Sequence, residues 1–265
     1  MYNFDYQRPQ SVADASKAIA GKDEAKLLAG GMTLIPTLKQ RLAKPSDLVD
    51  LGRIAELKGI KRDGNAIVIG AMTRHAEVAS SDVVKSAIPA LAQLAGGIGD
   101  PQVRNRGTIG GSLANNDPAA DYPAAALALG ATIVTDKRQI PADSYFKGLF
   151  ETALEANEVI THVKFPIPQK AAYMKFPNPA SRYALVGVFV AKGPSGVRVA
   201  VTGAGSDGVF RVAEYEKALA ANFSPAAIDG HKVPEAGLAS DLHADADYRS
   251  HLIGVMAKRA VAAAG

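Results

Sequence analysis

The sequence predicts a mixed α/β (α+β) chain with a boundary near residues 166 to 170. Three observations carry this. Short apolar runs alternate with helix-spaced segments up to that point. A Pro-Ile-Pro segment, Pro166 to Pro168, then interrupts the pattern. Beyond it, "ALVGVFVAKGPSGVRVAVTGAG" gives two alternating runs joined by Gly-Pro-Ser-Gly, the pattern of an antiparallel hairpin.

In chain order, Ser11 followed by "VADASKAIA" reads as an N-capped helix ending near Gly21. "AKLLA" reads as a buried strand, and "LIPTLKQRLA" as a helix whose first turn is restricted by Pro36. "DLVDL" is a short strand. Asp63-Gly64 separates two alternating runs and predicts a hairpin. "TRHAEVAS" and "VVKSAIPALAQLAG" have helical spacing. "GIGDPQVRNRGTIGGSLANNDPAADYPA" is long and rich in Gly, Asn, Asp and Pro, and is expected to be a functional loop. "AAALALG" and "ATIVTD" follow as helix and strand, and "DADYRSHLIGVMAKRAVAAA" closes the chain as an amphipathic helix with Asp245 or Asp247 at its start.

Composition excludes several functions. The chain has 265 residues, 48% of them hydrophobic, and mean hydropathy near zero, as in ordinary globular chains. No run approaches the ~18 apolar residues of a membrane span. The polar start "MYNFDYQRPQ" lacks a signal peptide's apolar core, so a cytoplasmic location is expected. There is no cysteine, which rules out disulfides, thiolate metal sites and cysteine-ligated iron–sulfur clusters on this chain. The net charge of +4 is dispersed and makes no basic face for nucleic acid.

Two glycine pairs stand out. Gly30-Gly31 follows an apolar run and precedes Met32-Thr33; Gly110-Gly111 lies between Thr108 and Ser112. Small residues let backbone N–H groups approach an anion, and hydroxyls add donors. Two such segments fit the two sides of a diphosphate; the alternative is a pair of tight turns. Asp121, nine residues after Ser112, reads either as a helix N-cap or as an acceptor for sugar-like hydroxyls. Lys175 is a lone cation in an apolar, Pro-rich stretch, where a solvated lysine is the default.

Other motifs are set aside. Gly203, Gly205 and Gly208 match G-x-G-x-x-G, but the preceding strand belongs to a hairpin and too little chain follows for a dinucleotide fold. Asp241, His243, Asp245, Asp247 and His251 lack the glycine of a calcium loop and read as helix capping. His75 and His162 have no partner in a recognisable nucleophile arrangement.

Taken together, "KLLAGGMTLIP", "RNRGTIGGSLANNDPAADYPA", "EVITHVKFP" and "ADADYRSHLIGVMAKRAV" resemble the FAD-binding medium subunits of molybdenum hydroxylases, the family of carbon monoxide dehydrogenase flavoproteins and xanthine dehydrogenase FAD domains. The resemblance implies a FAD-binding domain of the vanillyl-alcohol-oxidase/PCMH type over residues 1–168, with subdomains of about 1–55 and 56–168. A small C-terminal domain with an antiparallel sheet and helices would occupy 169–265. It implies that Leu27, Leu28, Ala29, Gly30, Gly31, Met32, Thr33 and Leu34 wrap one side of the FAD diphosphate. Thr108, Ile109, Gly110, Gly111 and Ser112 would take the other side. Asp121 would bond the ribityl or nearby hydroxyls, Ile160 would pack near the flavin, and Lys175 would lie near the isoalloxazine. No catalytic side chain and no metal are implied on this chain.

The implied role is electron transfer within a heterotrimer, between a small iron–sulfur subunit and a large molybdenum-cofactor subunit on one side and an external acceptor on the other. Many relatives have His-Ser where this chain has Met32-Thr33, so a histidine role is lost while a hydroxyl is kept. A non-redox nucleotide-binding module and a flavin-free scaffold subunit are the competing readings.

Overall fold

The computed structural model describes residues 1–264. Among the described residues there are three sheets of three or more strands and one two-stranded pair. Strands Asp5–Gln7, Asp47–Asp50 and Lys26–Leu28 form a parallel sheet in that spatial order. Helix Val12–Ile19 supplies a right-sized crossover between the first two sheet strands in sequence. Ser11 caps it by accepting from the Asp14 N–H, and Ala15 and Ile19 are buried on its inner face. Lys26–Leu28 lies at an edge and is exposed to half-buried, not buried as its apolar composition suggested; an edge strand has only one neighbour to cover it.

The second sheet is antiparallel with five strands, in the spatial order Ile60–Asp63, Ala66–Gly70, Ile160–Pro166, Thr132–Thr135, Gln139–Pro141. The Asp63-Gly64 hairpin forms as the alternating runs require, with Gly64 at φ 57°. The expected second helix is broken into Asp82–Ala87 and Pro89–Gly96, because Pro89 cannot continue a helix but starts one well.

The segment expected to be an open loop is instead largely ordered. Pro101–Arg104 and Ile109–Asn115 are helices, capped by Asp100 and Thr108 respectively. Glycine argues against helix locally, but at Gly110 a side chain has no room. A Cβ on Gly110 would lie 2.6 Å from the Ala71 Cβ and 2.7 Å from its carbonyl oxygen.

Helix Tyr122–Leu129 is buried on every side. It lies between the five-stranded sheet and a third, antiparallel sheet of strands Lys170–Pro177, Ala184–Gly193, Gly196–Thr202 and Phe210–Arg211. That position explains an apolar run with no polar stripe. Helix Ala246–Ala264 covers the other face of the third sheet. The Asp245 carboxylate accepts from the Tyr248 N–H at its start. Arg249, 2% exposed, donates to the carbonyls of Leu185 and Gly203, both at 2.7 Å, and pairs with Asp241. The G-x-G-x-x-G stretch thus leaves an antiparallel strand and its first glycine serves packing: a Cβ on Gly203 would sit 2.3 Å from the Ala184 carbonyl oxygen.

Two helical glycines give opposite predictions. Gly110→Ala is expected to destabilise the chain by about 1–3 kcal/mol through overpacking against Ala71. Gly96→Ala, on an exposed turn with the nearest atom at 3.8 Å, is expected to stabilise it by about 0.5–1 kcal/mol. Urea midpoints of the two variants check both signs.

Candidate functional site

The two segments that carry the glycine pairs meet. Gly30 lies so close to residues 106 and 107 that a Cβ there would be 2.2 Å from the Arg106 carbonyl oxygen and 2.8 Å from the Gly107 Cα. A Cβ on Gly111 would reach the Ala29 Cβ at 3.3 Å. This contact closes the back of a cleft of ≈ 690 Å³ between the parallel sheet, the five-stranded sheet and the segment 181–183.

The two glycine segments do not offer the same chemistry. On the second, every N–H from Ile109 to Ser112 is spent. Ile109 donates to Thr73 and Gly110 to Ala71, Gly111 to the Thr108 hydroxyl, and Ser112 to the Thr108 carbonyl. The expectation that both segments present backbone donors is therefore corrected: the second is a capped helix start locked onto the sheet. On the first, the N–H groups of Gly30, Gly31, Met32 and Thr33 have no hydrogen-bond partner among the described residues. Gly31 holds φ 75°, which lets four consecutive amides turn at one place. Thr33 precedes helix Leu34–Lys39 without capping it by its side chain.

Most of the expected residues line the cleft. From the first segment these are Leu27, Ala29, Gly30, Gly31, Met32, Thr33 and Leu34. From the second they are Thr108, Gly110, Gly111 and Ser112, with Asp121 and Ile160 added from further along. Ile160 opens the central strand at a β-bulge, which sets its side chain at the cleft wall. The turn before it is held by the buried Glu158 carboxylate. That group takes hydrogen bonds from Arg138, Thr135 and the Glu155 N–H, and the Arg138 pairing pulls it down to about 2.

Three expected contacts lie behind the wall. Leu28 packs beside Gly31, Ile109 is wholly buried in the core, and Lys175 sits behind Asp121. Lys175 is not solvated: its side chain is 11% exposed, and it donates to Asp121 and to the carbonyls of Gly97 and Arg182. Asp121 is not an N-cap either. Its backbone is already helical, and its carboxylate turns to Lys175 and to the Tyr173 hydroxyl. Burial pushes Asp121 upward, opposed by Lys175 and Tyr173.

The cleft also uses residues that the sequence does not advertise. His75 lines it, nine-tenths buried, with Nδ1 unpartnered and its ring 5.3 Å from that of Tyr122. Burial, with Arg104 nearby, lowers its pKa to about 4, so it is neutral at pH 7. Phe150 and Tyr183 stand at the rim, 56% and 44% exposed. Burial pushes the Tyr183 phenol up, opposed by the Thr33 hydroxyl facing it. No local pattern marks these positions, because they join the site only through long-range contacts.

Residues 2–168 match the family described as FAD binding domain in molybdopterin dehydrogenase. The carbon monoxide dehydrogenase medium chain of Hydrogenophaga pseudoflava is 38% identical over 98% of this chain and 96% of its own. The glyceraldehyde dehydrogenase medium chain of Sulfolobus acidocaldarius is 39% identical over 81% of this chain and 80% of its own. A solved carbon monoxide dehydrogenase from Hydrogenophaga pseudoflava superposes with a TM-score of 0.89 at 39% identity, covering 99% of this chain and 97% of that one.

The buried imidazole makes stability depend on pH. The unfolded chain protonates His75 near pH 6.5 and the folded chain near 4. Between those values the unfolded state binds more protons, so this group makes stability rise with pH up to 6.5 and then level off. Urea midpoints from pH 4 to 8 are expected to show that component in the parent and not in His75→Gln; equal slopes would contradict it.

Proposed function

The chain belongs to the family of FAD-binding domains of molybdopterin dehydrogenases, and on that premise we propose that it is the flavoprotein subunit of a molybdenum hydroxylase complex. Its cofactor is FAD, and it is an oxidoreductase component. One observation carries the assignment of the site: four adjacent unpaired N–H groups, Gly30 to Thr33, at a cleft whose size suits a bound cofactor.

The residues present fit the group. An anion needs donors without a competing acceptor, and the first glycine segment has four in a row. The Ser112 hydroxyl adds a donor from the opposite wall, and the Thr108 hydroxyl, which accepts from Gly111, keeps its proton free to donate. Leu27, Ile160 and Met72 give the apolar walls that a ring system needs. Asp121 borders the cleft, and its carboxylate, held by Tyr173 and Lys175, is the acceptor nearest to hand for polyol hydroxyls. Leu28, Ile109 and Lys175 support this shell from behind. Met32 lines the cleft where many relatives carry histidine, so the backbone, not a side-chain donor, serves at that position.

When bound, FAD supplies the electron storage that no side chain has. The protein orients it, excludes water from its buried side and keeps His75 uncharged beside it. In the proposed complex a large molybdenum-cofactor subunit oxidises the substrate. A small subunit relays electrons through [2Fe–2S] clusters to this chain, which delivers them to an external acceptor. Absence of cysteine here requires cysteine-ligated clusters to sit on another chain. We divide the working units at residues 1–168, with parts of about 1–55 and 56–168, and 169–265. A heterotrimeric unit in the cytoplasm completes the proposal; no described helix is long and apolar enough to cross a membrane.

Titrating the purified chain with FAD tests this, both alone and in the complex it co-purifies with. Bound-flavin absorbance and quenched flavin fluorescence are expected, at one FAD per chain, with molybdenum and iron in the co-purified complex. A colourless protein that neither shifts nor quenches added FAD in either form would contradict it.

A further inference from the structure

Strand pair Phe146–Gly148 and Glu151–Thr152 is joined through Leu149 and Phe150, with Gly148 paired to Glu151. Of the two tip residues only Phe150 has positive φ, at 56°. Turn chemistry fills such a second position with glycine or asparagine, because a Cβ there crowds the backbone. This chain puts a phenylalanine there and leaves its side chain in a place where folding gains little: the residue is 56% exposed and lines the cleft.

The strained tip is held from outside. Asn116, 1% exposed and itself left-handed at φ 43°, donates its Nδ2 to the carbonyls of Gly148 and Glu151, both at 2.9 Å. Asn116 is also the C-cap of helix Ile109–Asn115, whose start Thr108 caps beside Gly30. The helix that backs the first glycine segment therefore also fixes the height of Phe150 over the cleft. Left-handed backbone is ordinary for Asn116, a helix C-cap, but not for Phe150, which alone of the two lines the cleft.

We propose that Phe150 is a cofactor-contacting residue, its ring packing against one of the two ring systems of the bound dinucleotide. This rests on the FAD reading above. Free of ligand, the ring is half in solvent; with a planar aromatic group beneath it, both apolar faces leave water and the rings gain an offset or edge contact. Strain in the tip is the cost of that placement.

The test separates fold from binding. In the full chain, Phe150→Gly relieves the left-handed strain and is expected to leave the apo melting temperature unchanged or higher, while Kd for FAD rises roughly tenfold. Phe150→Ala is expected to weaken FAD similarly, and Phe150→Tyr to retain parental affinity. Parallel titrations with ADP and with FMN assign the ring: the half-molecule whose binding weakens lies under Phe150. If the parent binds no FAD, the FAD reading fails and this inference with it. If the parent binds FAD and both Phe150→Gly and Phe150→Ala bind it equally well, the inference alone is overturned, whether or not the variants still co-purify with partner subunits.

Discussion

Everything in the site depends on how closely Gly30 approaches the backbone of residues 106 and 107. A side chain at position 30 would sit 2.2 Å from a carbonyl oxygen, so only glycine lets the two segments touch. The contact joins an edge strand of the parallel sheet to the start of helix Ile109–Asn115, which is itself pinned to the five-stranded sheet at Ala71 and Thr73. With that joint closed, the cleft has a rigid back, and the amides of Gly30 to Thr33 are left at its mouth with no acceptor of their own. Half-buried donors without partners, as at Gly30 and Gly31, are costly in a folded chain, while Met32 and Thr33 are exposed. An anionic ligand would complete all four.

A second joint sets the far end. Helix Tyr122–Leu129 is buried all round because it is shared by two sheets, and Asp121 at its start ties the first 168 residues to Tyr173 and Lys175 in the third sheet. Lys175 extends the tie to Gly97 and Arg182, next to Tyr183 on the rim. The electrostatics follow from burial: a carboxylate in this position needs a cation and a phenol to remain acceptable. The same arrangement fixes the Asp121 carboxylate at the border of the cleft.

Much of this was legible in the sequence, and the failures have identifiable causes. The Ser11 cap, the Asp63-Gly64 hairpin, the Pro-Ser hairpin near residue 194 and the closing helix all rest on local chemistry, and all form. The glycine pairs were visible as places of close approach. What local reading could not supply was the identity of the approaching atom. At Gly110 it is Ala71, 39 residues away, so local chemistry points to an open loop where a helix forms. Local chemistry leaves Asp121 open between a cap and an acceptor and makes a solvated cation the default for Lys175, because their partners lie in other elements. His75, Phe150 and Tyr183 carry no pattern at all until the fold brings them to one cavity.

The names of two relatives attach to carbon monoxide and to glyceraldehyde. The two glycine segments differ: the second has spent its backbone donors, and the first, on the proposal above, gives its own to the ligand. Residue-resolved amide hydrogen exchange of the chain with and without FAD tests it directly. FAD should strongly protect Gly30, Gly31, Met32 and Thr33, and change little at Gly110, Gly111 and Ser112, which are already bonded. Protection gained at the second segment with the first unchanged would contradict it.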